Sequence, residues 1–203
     1  MISHRHRYIS GYIYCFLLSM IGILPLIIDL HPAWGQQVFK TQRTEIHYHD
    51  PTQLRELERR LSFSPTKNFH QQYFFTPDPV QAALSPGLAS KIDGLLARVS
   101  LILNRWPNKP NSLRIILLSN GTEVRQRWLA LQPFLRDRPL FGYGSLCAFY
   151  EPLSRTIFLS VADLHAGILA HEMAHFILNE SFSRRPPAPL QEQWAQYVEA
   201  NLD

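Results

Sequence analysis

The sequence predicts an α+β fold: a small twisted sheet, mostly antiparallel or mixed, packed on helices. Three observations point there. Short β-patterned stretches fall at 44–49, 112–118, 145–150 and 155–160. Longer stretches with apolar residues at helical spacing fall between and after them, at 51–61, 90–106, 122–131, 161–179 and 190–200. Residues 36–203 carry no repeat and no long low-complexity run, and are numerous enough to build one domain with a real core.

Residues 1–35 read as a targeting segment. Arg5 and Arg7 give a positive start, Tyr8 to Leu30 is mostly apolar, and Ala33-Trp34-Gly35 offers small residues at the spacing of a signal-peptidase site before Gln36. The expectation is an exported protein, periplasmic or secreted. The apolar run also has the length of a retained membrane anchor. The net charge of +4, from 20 basic and 16 acidic residues, is too mild for a nucleic-acid partner, which would need a dense basic patch. Of the two cysteines, Cys15 lies in the targeting segment. Cys147 therefore has no disulfide partner in the domain and is expected as a small buried apolar residue.

Thr44 to His49 alternates as a strand. It puts His47 and His49 on one face, which is expected to be an exposed strand face because no third ligand is close in sequence. Pro51 to Leu61 carries a stripe of Leu54, Leu57 and Leu61. Residues 62–86, rich in Pro, Phe, Tyr and Gln, read as an irregular connection that could regulate access to a site. Ser90 to Trp106 is amphipathic, with Ile92, Leu95, Leu96, Val99, Leu103 and Trp106 inward, and Pro107 stops it. Ser112 to Leu118 is a buried strand, Asn120-Gly121 a turn, and Thr122 to Leu131 a helix with Val124, Trp128 and Leu131 inward. Residues 145–150 and 155–160 form a hairpin around Glu151-Pro152-Leu153-Ser154. Ser160 and Asp163 have the shape of a capping box, which predicts a helix over 161–179. Arg184 to Pro189 cannot continue that helix, and Leu190 to Ala200 starts another.

The 161–179 stretch contains His171-Glu172-Met173-Ala174-His175, an H-E-x-x-H. Two histidines four apart lie on one helix face, so both imidazoles can reach one metal ion. Glu172 supplies a carboxylate able to take a proton from water activated there. The metzincin pattern would need glycine and histidine where this chain has Leu178 and Ser181. The two helices, joined by a proline-rich turn, can bring Glu192 back against the histidines. Glu180 and Glu199 compete for the place of third ligand. Glu199 shares a face with Glu192 but lies ~10 Å further along the helix, so only one of the pair can meet the metal.

With HEMAH followed by LQEQWAQYV, about the last 50 residues resemble the gluzincin zinc metallopeptidases, in the compact form of the smallest members. The resemblance implies a zincin-like fold and one Zn²⁺ held by His171, His175 and Glu192, with Glu172 as general base. Gln196 falls where the family often has an Asp supporting the first histidine. The resemblance also implies an oxyanion-steadying group, for which Tyr143, Tyr150 and Tyr197 are candidates. Tyr197 points away from the face of Glu192. It further implies a sheet edge near the metal that pairs with extended substrate, for which 145–150 is the candidate. The expected function is a zinc-dependent hydrolase acting on peptides or proteins. Two rival readings are a non-catalytic zincin-like domain that binds a peptide or an envelope partner, and a membrane-anchored assembly protein.

Overall fold

The computed structural model describes residues 36–61, 87–107, 113–131 and 146–202. The targeting segment, the 62–86 connection and Tyr143 lie outside them. Among the described residues there are five strands and five helices, an α+β arrangement. In chain order these are β1 (Gln37–Lys40), β2 (Thr44–Tyr48), α1 (Pro51–Arg60), α2 (Leu88–Leu103), β3 (Leu113–Leu118), α3 (Gly121–Leu131), β4 (Ala148–Glu151), β5 (Thr156–Ser160), α4 (Ala166–Ser181) and α5 (Ala188–Ala200).

The strands form one mixed sheet in the order β1-β2-β3-β5-β4. Both outer pairings are antiparallel and both inner ones, β2 with β3 and β3 with β5, are parallel. Of the two expected arrangements the sheet is thus the mixed one, with half of its pairings parallel. Of the inner strands, β5 is buried at every position, as a strand covered on both faces is, while β3 alternates and leaves Arg114 exposed.

Side-chain alternation divides the core in two. Leu113, Ile115, Leu117, Ala148, Tyr150, Ile157 and Leu159 face a main core shared with α1, α2, α4 and α5. Phe149 and Phe158, stacked at 4.8 Å, face the other way against Val124 and Trp128 of α3. The helix carrying the H-E-x-x-H motif is therefore wedged into the larger core. Leu169, Ala170, Met173, Ala174, Phe176 and Ile177 are buried there, and α4 packs against α5, α2 and β4.

Three boundaries differ from expectation. β1 is an element that the sequence pattern does not announce, because Phe39 is its one buried residue. Its turn into β2 is fixed by Thr41, whose hydroxyl donates to Asp93 of α2 (2.7 Å) and accepts from Thr44 N (2.9 Å). The second helix stops at Leu103, where Asn104 turns left-handed (φ 49°), and Trp106 is 41% exposed instead of inward. The motif helix begins at Ala166 rather than 161. Ser160 remains in β5, paired with Leu118, and its hydroxyl donates to Asp163, which also accepts from Gly121 N. That pair ties the turn to the start of α3 instead of capping α4. The cap is His165, whose Nδ1 accepts from Ile168 N. Among the described residues no helix is long and apolar enough to cross a membrane.

Candidate metal centre

Helix α4 sets His171 and His175 one turn apart, with ring centroids 5.0 Å apart and planes at 67°. Helix α5 returns beside α4 and brings Glu192 between them. Its Oε1 lies 3.6 Å from His171 Nε2 and its Oε2 lies 3.6 Å from His175 Nε2. One donor atom from each of the three residues falls within 4.8 Å of the others, so the group could hold a metal ion. Two neutral nitrogens and one carboxylate suit a borderline-soft divalent cation. The neighbouring His175, more than any other influence, draws the Glu192 carboxyl down to about 2 against the opposing pull of burial, with His171 adding to it. An ionised Glu192 is the form a cation needs.

The return of α5 has a specific lock. Gln191 is 2% exposed, and its Nε2 donates to Pro186 O (2.6 Å) while its Oε1 accepts from Asn179 Nδ2 (3.3 Å). Asn179 also donates to His175 O (2.6 Å). The proline turn, the last turn of α4 and the first turn of α5 are thus tied together directly beside Glu192. Ala195 and Val198 fill the seam further along. Sequence reasoning passed over Gln191 and Asn179. The available signal was a glutamine at an apolar phase of the second helix, next to the ligand.

Glu172 is buried, 6% exposed, and its Oε2 has no hydrogen-bond partner among the described residues. A buried acceptor left so is costly and asks for a partner that the described residues do not supply. The donor set of His171, His175 and Glu192 therefore fits a metal ion, and an unsatisfied acceptor stands beside it in sequence.

The competing glutamates separate cleanly. Glu180 pairs with Arg155 Nε at 2.8 Å, at the turn between β4 and β5, and is not in the group. Glu199 does not join the ligands but places Oε2 3.4 Å from His171 Nδ1. Gln196 does not support His171. It lies four residues after Glu192 on the same helix face, and its Nε2 donates to Glu192 Oε1 at 3.1 Å.

No protein-family model, curated protein or solved structure matches the chain. The geometry alone carries the functional reading.

The remaining candidates sit elsewhere. Tyr150 is fully buried and edge-on to Phe176. Burial first, then the charges of Glu180 and Glu151, push its phenol well above the ordinary value. The groups that perturb it are Glu180, Glu151, Arg155 and Arg185, not the ligands. Tyr197 is 56% exposed and lines a cleft with Leu103, Arg105, Leu178, Phe182 and Trp194. On the wheel of α5 that face lies opposite Glu192. His47 stands 3.8 Å from Glu45, and His49 lies beyond the end of β2; neither belongs to the metal group. Cys147 is half-buried and also outside the group. β4 is an outer strand, as a substrate-pairing edge would be. Yet all four of its residues are buried, with Phe149 and Tyr150 at 0% exposure, so their backbone is covered.

Proposed function

We propose that this chain is a zinc-dependent hydrolase, a peptidase of the gluzincin kind on a zincin-like fold. One observation carries the reading. Glu192, on the helix after the motif helix, presents an oxygen to each histidine Nε2 at 3.6 Å. Chance placement of H-E-x-x-H on a helix would not bring a third donor to that point.

A zinc ion held by His171, His175 and Glu192 would lower the pKa of water and polarise the scissile carbonyl. The chain's own residues do the rest. Glu172 accepts the proton of the attacking water on its carboxylate and delivers it to the leaving amine nitrogen, so no net proton is consumed. Glu192 offsets the charge of the cation. Gln196, donating to Glu192 Oε1, restrains the carboxylate so that its two oxygens keep to their histidines. The Gln191–Asn179 lock keeps the two helices in register while this occurs.

The test is metal content and peptide-library digestion of the purified chain and of Glu172→Gln. The parent is expected to hold one zinc ion and to cleave peptides. The variant should keep the zinc and lose turnover by more than a hundredfold, on the order of what a general base contributes. A parent that holds no zinc, or a variant as active as the parent, overturns the proposal.

A second reading has an observation in its favour. The covered backbone of β4 leaves no open edge there for an extended substrate, which counts against cleavage and for a zincin-like domain that holds a peptide or an envelope partner elsewhere on its surface without cutting it. Stoichiometric zinc with no cleavage of any library member would select it. We also propose export, with removal of residues 1–35. Mass spectrometry of the exported protein should begin at Gln36, and an intact Met1 would select membrane anchoring.

A further inference from the structure

We infer that Glu199, and not Gln196, orients His171 for metal binding, and that residue 167 is glycine so that Glu199 can reach it. The inference rests on the zinc reading above and adds to it a positioning residue that the sequence pattern does not mark.

His171 and His175 both turn Nε2 toward Glu192. An imidazole that gives Nε2 to a metal carries its proton on Nδ1, and that N–H needs an acceptor to fix the tautomer and the ring orientation. At His171 the group on that side is the Glu199 carboxylate, with Oε2 3.4 Å from Nδ1. Gln196 is engaged with Glu192 instead. Glu192 and Glu199 are seven residues apart, two turns along one face of α5. The same helix face thus supplies a ligand at one end and a ring anchor at the other, with His171 between them.

Gly167, one turn before His171 on α4, explains how Glu199 comes so close. A Cβ there would stand 3.1 Å from Glu199 Cγ and 3.1 Å from His165 Nδ1. His165 cannot yield freely, because its ring caps α4 through Ile168 N. A side chain at 167 would therefore push the stem of Glu199 by a few tenths of an ångström and loosen the 3.4 Å approach of its carboxylate to His171. Glu199 touches neither the reacting atoms nor the metal position. It acts through His171.

The experiment measures zinc affinity of the purified chain by competition with a chromophoric chelator, and reads the His171 tautomer from imidazole ¹⁵N shifts of the zinc-loaded protein. Glu199→Ala should weaken zinc about 10–100-fold, the loss typical for an outer partner of a metal-bound histidine, and should broaden or shift the His171 Nδ1 signal. Gln196→Ala, which acts on Glu192 rather than on the ring, should leave the His171 Nδ1 signal where it is in the parent whatever it does to affinity. Gly167→Ala removes no polar group and favours the helix, yet should weaken zinc in the parent and add nothing in the Glu199→Ala background. Should Glu199→Ala lose its fold, the parent-versus-Gly167→Ala comparison of the His171 Nδ1 signal decides. The inference is overturned if Glu199→Ala binds zinc as tightly as the parent, if Gln196→Ala moves the His171 Nδ1 signal as Glu199→Ala does, or if Gly167→Ala acts the same with and without Glu199. A parent chain that binds no zinc overturns the hydrolase reading itself. A parent that binds zinc alongside an unaffected Glu199→Ala overturns only this inference.

Discussion

Glu192 combines two properties that make it worth isolating at the scale of one residue. It is half-exposed, yet its carboxyl is held at about 2, below its ordinary 4.5, chiefly by His175. The sign of the linkage follows. A carboxyl depressed in the folded chain contributes stability that is fully present above the unfolded value and is lost as pH falls toward the folded one. In metal-free protein, Glu192→Gln should therefore be less stable than the parent near about pH 6, and the gap should close as pH falls from about 4.5 to about 2. Urea unfolding in the presence of a chelator measures this. A gap that stays constant across that range would mean that the charge of Glu192 is not what the histidines respond to. The same residue shows how far single positions can be read from sequence. His171, Glu172 and His175 follow from their spacing alone, since i and i+4 meet on any helix. Glu192 required a guess about how two helices return on each other. The choice between Gln196 and Glu199 as the anchor of His171 could not be made without knowing the rotation of α5 about its own axis.

At the scale of elements, the site depends on one joint, the turn from α4 to α5. Its lock is polar, with Gln191 buried and its partners half-buried: Gln191 bridges Pro186 O and Asn179, and Asn179 reaches His175 O. Replacing Gln191 with Leu would keep the volume but remove a partner from Pro186 O and from Asn179 Nδ2, both half-buried, Asn179 keeping its bond to His175 O. Each hydrogen bond lost at such a place costs about 0.5–1.5 kcal/mol. Gln191→Leu should lower unfolding stability by that order, measured by denaturant titration. It should also weaken zinc binding, because Glu192 follows directly in the chain. A variant as stable as the parent, with unchanged zinc affinity, would show that apolar packing of Ala195 and Val198 sets the joint by itself. The elements themselves were largely legible. Among the described residues, nine of the ten arise from periodicity that survives in the structure, within about five residues at their ends. The misses have physical causes. β1 has too few buried positions to alternate visibly. Ser160 and Asp163 look like a cap in sequence, but the hydrogen-bond ladder of β5 claims Ser160 first. The parallel inner pairings depend on which strands become neighbours, which no local pattern records.

For the whole molecule, the consequence is a coupling between metal and fold. The two helices that carry the donors lie in the main core, where α4 reaches β4 and α2 while α5 also touches α2. One cation would thus cross-link the last two elements of the chain over a core that the sheet and α2 complete. A group that binds the folded state alone stabilises by RT ln(1 + [L]/Kd), about 2.7 kcal/mol at a hundredfold excess over Kd. For a domain of this size each kcal/mol moves the midpoint by roughly 2–4 °C. Removing metal with a chelator should therefore lower Tm by roughly 5–10 °C, and adding zinc should restore it. Calcium should not restore it, because two imidazoles are poor donors for a hard cation that prefers oxygen. Glu172→Gln should show the same zinc-dependent shift as the parent, since it lies outside the donor set. Differential scanning calorimetry of the metal-free, zinc-loaded and calcium-loaded chain separates these outcomes. A Tm indifferent to zinc, or raised equally by calcium, would mean that His171, His175 and Glu192 meet for packing and charge balance alone, and the fold would then stand without a metal centre.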